Sequence, residues 1–492
     1  MNMTADDTAR ATAPPQAHAR YGTAAFLPLL LVAAVLRFDT FGDPNLHGDE
    51  VFYQTVGVAM HHGALPYVDV WDRKPFGLFA LFWLIAAFSE GPLAYQLVAT
   101  LFVASTAWAI GAIARTWTTR RGAVLAGLLY LLYLKPLQGF GGQSPVFYNL
   151  FIAIAALLVL RALPALRQGK VPRSVPLAML IAGLGITLKT TALAEAAFLG
   201  LFACFALWRA GGSALALRHA FAWTLIGAAP TLAIAGAYWA MGHFSEYWHA
   251  MVASNLAKPP HWPTSLMRLK IMATLLSPAT ALAVLGLLRQ ERERGFVAAW
   301  IVAAIIGLWS MPNFYIHYAM PLVVPLCVAA AAFLARGLVG VIAIAVLAAV
   351  SLAGAPPKPG HARASAAAID RLVADIGAHR GTGPLLLYDA PPQLYMRTGR
   401  SFTTPLVFPT HLSHLVEKDT SHLSTMAETE RVLALRPGVV VMAVPPRNGP
   451  VNEATHQRVL AYVGRHCRLV DVAPTLEWQR TDMIAVWGDC GR

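Results

Sequence analysis

A chain of 492 residues that is 57% hydrophobic and only 13% charged has more apolar surface than a water-soluble core can hide, so an ordinary soluble protein is excluded. Its formal charge of +13 is scattered through short loops between apolar runs. It is neither gathered on one face nor interleaved with aromatics, which argues against nucleic acid as a partner and reads as a topology signal.

In chain order, residues 1–20 are rich in Ala, Thr and Pro without apolar periodicity, which predicts a disordered cytoplasmic tail. A cleaved signal peptide is the competing reading of 24–36, but no clear small-x-small cleavage site follows it. Apolar spans are predicted at 22–38, 93–114, 122–138, 147–163, 175–190, 193–208, 219–241, 268–289, 295–311, 318–335 and 337–354. The stretch 76–88 is apolar but too short to span comfortably, and reads as an interfacial or re-entrant helix. With that choice the loops carrying Arg120 and Arg121, Arg167 and Arg173, Arg209 and Arg218, Arg289 and Arg294, and Arg336 all fall on one side, the cytoplasmic one if the positive-inside bias holds. The expected fold class is therefore a polytopic α-helical membrane protein with about 11 transmembrane helices and a small C-terminal α/β soluble domain. Its divisions are 1–20, a transmembrane domain at 21–355 and an outer domain at 356–492, with the unusual polar chemistry in the outer loop 39–92.

In the C-terminal part, helices are predicted near 364–379, 426–435 and 453–466, and strands at 385–389, 439–444, 468–472 and 483–487. No phosphate loop follows a strand, so a second catalytic centre is not expected. Acceptor recognition, a cover over the site and a structural cap all remain open for this part. Cys204 and Cys327 lie in apolar spans as small hydrophobes, whereas Cys467 and Cys490 flank the last two strands and either form a disulfide or stay free.

The chemistry concentrates in two outer-loop motifs. His47-Gly48-Asp49-Glu50 places adjacent acids at the start of a helical stretch. Consecutive helical residues point about 100° apart, so the two acids cannot share one role. A plain helix N-cap pair is the competing reading. Trp71-Asp72-Arg73-Lys74-Pro75 sets two cations where a lipid phosphate would lie, with snorkelling at a helix end as the alternative. Lys189 on an outer turn, and His317 and Tyr318 at the start of an outer-face span, are further candidates for contact with donor or acceptor.

The order Leu36-Arg37, Gly48-Asp49-Glu50, Asp72-Arg73-Lys74-Pro75, Asn313-Phe314-Tyr315-Ile316-His317-Tyr318, with Tyr395 to Arg400 in the tail, resembles bacterial members of glycosyltransferase family 39. These are similar to protein O-mannosyltransferases and lipid A aminoarabinose transferases, which have the GT-C membrane fold. The resemblance implies an inverting transfer of a sugar from a polyprenyl-phosphate carrier to an acceptor hydroxyl on the periplasmic face of a bacterial inner membrane. Asp49 would be the general base and Glu50 its neighbour in the signature. Lys74 and Arg73 would bind the carrier phosphate. The acceptor is left open as lipid, glycan or protein. The chain departs from its relatives by carrying Arg73 where some have an acid, and Gly141 to Asn149 lacks an acid many carry. No cofactor is therefore assigned, and dependence on a divalent metal is left open. A transporter or lipid-linked-sugar flippase is the rival reading. It would show matched halves with broken helices, and no such symmetry is visible.

Overall fold

The computed structural model describes residues 23–257, 260–379, 381, 383–447 and 449–491; the tail expected at 1–20 lies outside them. Apolar runs become helices because backbone surrounded by hydrocarbon must satisfy its own N–H and C=O groups. In order these are α1 (Thr23–Arg37), the short α2 (Gly48–His61) and α3 (Phe76–Ala86), then α4 (Pro92–Ala114), α5 (Arg120–Leu134), α6 (Ser144–Leu166), α7 (Ser174–Leu188) and α8 (Ala192–Ala240). Two short helices, α9 (Phe244–Trp248) and α10 (Ser254–Ala257), precede α11 (Trp262–Leu287), α12 (Arg294–Trp309), α13 (Met320–Leu334) and α14 (Gly337–Gly354).

Six segments are long and apolar enough to cross a membrane: α4, α6, α8, α11, Ile316–Leu334 and α14. Helix α8 has 49 residues, about 74 Å at 1.5 Å per residue, far more than a hydrocarbon core of about 30 Å. It therefore makes two passes, bent at Gly212, whose φ of 81° breaks the helix. With α1, α5, α7 and α12, of 15 or 16 residues each, the described residues form eleven membrane helices. The basic loop expected at 209–218 is helical apart from Gly212, because its Ala and Leu residues favour helix on both sides of the break.

Helix α3, at 11 residues, is about 17 Å long and cannot cross. It lies against α2, and the two backbones meet at Gly57, where an added Cβ would stand 2.7 Å from the Phe82 carbonyl carbon. The two ends of the bundle differ in chemistry. At one, Arg167 pairs with Glu293 at 2.6 Å and ties the α6–α7 turn to the α11–α12 turn. At the other lie α2, α3, Lys135 and Lys189.

Beyond α14 the chain forms a four-stranded sheet in the order β1-β2-β4-β3. Strands β1 (Leu385–Asp389) and β2 (Val439–Ala443) are parallel, and β3 (Arg468–Leu476) and β4 (Thr481–Gly488) join them antiparallel. Every residue of β1 and β2 is buried, as continuous apolar strands require when both faces are covered. The accompanying helices are α15 (His361–Ala378), α16 (Gln393–Arg397), α17 (Thr410–Ser413), α18 (Thr425–Ala434) and α19 (Glu453–His466). Cys467 and Cys490 are joined in a disulfide beside β3 and β4.

The β3–β4 turn seats this region on the bundle. Trp478, 3% exposed, sits between Leu46 and Phe140 and donates its backbone N–H to the Leu46 carbonyl at 3.1 Å. The ammonium groups of Lys135 and Lys358 each lie 5.0 Å from its ring centre. Lys135 also binds both oxygens of buried Asp39, at 2.8 and 2.9 Å. Asp43 accepts the Ser365 hydroxyl at 2.6 Å and lies 3.0 Å from His361 Nδ1. The loop from Asp39 to His47 is thus held between bundle and sheet. Truncating a buried Trp costs about 3–5 kcal/mol. Trp478→Ala is therefore expected to speed amide hydrogen exchange in 39–47 and 135–142 while α4 and α6 keep their protection. Unchanged exchange in both loops would show that the turn does not hold them.

Candidate active site

The loop so clamped leads directly into α2. His47 is its N-cap, in extended conformation, and the Asp49 N–H donates to His47 Nδ1 at 3.2 Å. Gln143 Nε2 lies 2.7 Å from the same nitrogen. The imidazole, not either acid, caps the helix, which frees the carboxylates for other partners.

The two acids then diverge. Glu50 is fully buried, and its Oε2 accepts the Gly142 N–H. An added Cβ at Gly141 would overlap that carboxyl, so the close approach requires glycine there. The 139–141 carbonyls are in turn pinned by buried Arg37, which donates to Gly139 O at 2.6 Å and Gly141 O at 2.8 Å. Burial pushes the Glu50 carboxyl up to about 8, against the lowering effect of the Gly142 N–H and Arg37. Glu50, expected beside Asp49 in the catalytic signature, does not line the cleft and holds the start of α2 in place.

Asp49 faces a cleft of about 570 Å³ between bundle and sheet. Its Oδ1 lies 3.3 Å from Lys74 Nζ and its Oδ2 3.8 Å from His317 Nε2. Burial alone would raise this carboxyl, but Lys74 first, then His47, His317 and Lys189, reverse the effect and hold it well below the usual carboxylate range. Burial likewise works against the Lys74 ammonium, and Asp49 and Asp72 more than offset it, leaving Lys74 well above its ordinary value. Asp72 fixes Lys74 from behind: its Oδ1 accepts the Lys74 backbone N–H at 2.9 Å and stands 3.6 Å from Nζ.

Arg73, expected to join Lys74 as a phosphate ligand, donates Nη2 to both oxygens of Glu417 on the sheet side, at 2.9 and 2.7 Å. That carboxylate lies 344 positions away in the chain, and Arg73 also lines the cleft, with its Nη1 buried and without a hydrogen-bond partner. Lys189 is 5% exposed, lines the cleft and lies 4.9 Å over the Tyr318 ring. Burial and then repulsion from Lys74 bring its amine down to about 7, opposed by Asp49. His317 Nδ1 stands 3.5 Å from Gln138 Oε1, and its ring stacks on Tyr315. The structure thus brings Asp49, Asp72, Arg73, Lys74, Lys189, His317 and Tyr318 together around one cleft.

Arg268 escaped the sequence reading. Its guanidinium lies 4.2 Å over the Tyr315 ring, donates to Asn313 O at 3.2 Å and lines the cleft. An arginine near the end of an apolar span reads as an interfacial anchor, so nothing local marked it. His47, Asp49 and His317 place one ligand atom each within 4.8 Å of one another, the set among the described residues able to hold a metal ion. A cation there meets the Lys74 ammonium already beside the same carboxylate.

No protein-family model matches the chain, and no curated protein matches it by sequence. Solved structures do match. ArnT from Cupriavidus metallidurans bound to undecaprenyl phosphate superposes with a TM-score of 0.59 at 15% identity, covering 94% of this chain and 97% of that one. The apo form of the same protein gives 0.54 over the same shares. The apo oligosaccharyltransferase of Archaeoglobus fulgidus gives 0.50 at 11% identity over 86% of this chain and 69% of its own. The chain has a GT-C glycosyltransferase-like fold.

A carboxyl depressed in the folded state stabilises the fold above about pH 4 and loses that contribution as pH falls through its native value. Asp49 is therefore expected to remain ionised throughout the mildly acidic range, read by carbon-13 carboxyl NMR. In Lys74→Met the burial effect takes over and the carboxyl titrates at higher pH. No upward movement in the variant would remove Lys74 as the group that sets the charge of Asp49.

Proposed function

We propose that the protein is an integral-membrane glycosyltransferase that moves a sugar from a polyprenyl-phosphate carrier to an acceptor hydroxyl, with inversion at the anomeric carbon. The observation that carries this reading is the Asp49 carboxylate 3.3 Å from the Lys74 ammonium in a cleft at the bundle end. A structure with the same fold binds undecaprenyl phosphate, and a cleft edged by Lys74, Lys189 and Arg268 suits such a headgroup. The arginine-rich turns lie at the opposite end, which favours this end facing outward, into the periplasm of a bacterial inner membrane.

The carrier phosphate approaches Lys74 and Lys189 and draws the Lys74 charge away from Asp49. The Asp49 carboxylate becomes more basic as its nearest cation turns to the ligand, in time to receive a proton. The acceptor hydroxyl gives its proton to Asp49, and its oxygen forms the new bond to the anomeric carbon. The bond from that carbon to the phosphate oxygen breaks, leaving its electron pair on the phosphate. The nearby cations stabilise the charge gathering there, and a phosphate leaves without a general acid. His47 and Glu50 hold Asp49 in position, and Asp72 holds Lys74.

Purified protein incubated with radiolabelled polyprenyl-phosphate sugars tests the reading. Asp49→Asn is expected to lower kcat by about 10²- to 10⁴-fold, the range of a lost general base, and Lys74→Ala to raise the donor KM as well. Full turnover by Asp49→Asn would remove it as the base. Because the free Lys189 amine is charged only below about 7, kcat/KM for donor is expected to fall as pH rises through that value. Lys189→Gln should flatten this limb; its persistence would assign it to another group.

A further inference from the structure

The cleft has two chemically different ends. Lys74, Lys189 and Arg268 occupy the bundle side. The sheet side presents Arg447, just beyond β2, with Glu477 and Arg480 from the β3–β4 turn, all lining the same cleft. None of these three is used by the donor chemistry described above.

Arg447 is 5% exposed, yet its bonding is incomplete. Its Nη1 stands 3.6 Å from Glu477 Oε1, and its Nε stands 3.7 Å from Asp389 Oδ1 and 3.4 Å from Asp482 Oδ2. Its Nε and Nη2 are buried without a hydrogen-bond partner. The Nε faces the Asp389 and Asp482 carboxylates, so the Nη2 is the N–H that lacks a nearby acid; leaving it unpaired is costly, and a small movement of the side chain toward the cleft would let a ligand oxygen complete it. Glu477 accepts Arg480 Nη2 at 2.9 Å and keeps its other lone pairs. It also adjoins the catalytic loop, since a Cβ placed on Gly48 would lie 3.7 Å from Glu477 Oε1.

Charge selects the ligand class. Arg447 and Arg480 face Glu477, Asp389 and Asp482, so this end has no positive excess to attract a second phosphate. Hydroxyl groups suit it, because each can donate to a carboxylate and accept from a guanidinium. We propose that Arg447, Glu477 and Arg480 form the acceptor subsite and that the acceptor is a carbohydrate. The inference rests on the transferase reading above. A hydroxyl held against Glu477 lies next to Gly48, one residue from the base.

The test follows one reaction to two products. Full-length protein is given a radiolabelled polyprenyl-phosphate sugar and the membrane fraction of the source organism, and label is counted both in acceptor and as free sugar released to water. Loss of one charged hydrogen-bond partner is expected to lower the ratio of transfer to hydrolysis about tenfold in Glu477→Gln and in Arg480→Gln. Arg480 lies on the turn and is partly exposed, so its variant carries the measurement if Glu477→Gln does not fold, as judged by thermal unfolding. The labelled acceptor is expected to resist protease and, on permethylation and hydrolysis, to show the transferred sugar linked to another sugar residue. A ratio that stays constant while both products fall together would overturn the subsite and make the turn a scaffold. Label recovered in protease-sensitive material would overturn the acceptor class. Wild-type protein that consumes no donor would overturn the transferase reading, and this inference with it.

Discussion

The ion pair between Asp49 and Lys74 is the constraint around which the cleft is organised. Neither charge is free in water, and a buried ion that loses its partner is strongly destabilising. Each is therefore fixed from a second direction. Asp72 receives the backbone of Lys74, and His47 receives the backbone of Asp49. The pair remains ionised while one face of it stays open to the cleft.

Position at the end of the bundle is maintained by a second set of buried charges set back from the cleft. Arg37 leaves α1 and pins the 139–141 carbonyls; Gly142 then holds Glu50, and Glu50 holds the first turn of α2. Asp39 with Lys135, and Asp43 with Ser365 and His361, tie the preceding loop to α5 and to α15. The sheet region adds the Trp478 plug and the Glu417 carboxylate that takes up Arg73. Removing the sheet would leave Asp39, Asp43 and Arg73 short of partners. The site therefore belongs to the junction of bundle and sheet rather than to either alone.

This explains why the adjacent acids, though alike in sequence, differ in environment. The helical offset of about 100° per residue sends Asp49 toward Lys74 and Glu50 toward the glycines at 141 and 142. One carboxyl is pulled well below its ordinary range and the other is pushed up to about 8. Neighbouring positions in the chain thus acquire opposite electrostatics from what each meets across the fold.

The sequence by itself determined the eleven apolar segments, the short helix at 76–88 that cannot cross, the alternating elements after residue 360 and the gathering of Asp49, Lys74, Lys189 and His317 at one end. Those features depend on local composition and on loop charge, which act over spans of one helix. Only the tertiary structure decided that Glu50 turns to Gly142 and away from the cleft, that Arg73 pairs with Glu417, that α8 stays helical up to Gly212, and that Arg268, Arg447 and Glu477 share the cleft. The partners in these cases lie as far as 344 residues apart, and no local pattern encodes which distant carboxylate a given arginine will meet. Hydrophobic periodicity acts within a segment, whereas ion pairing in a buried cleft is settled by how segments pack.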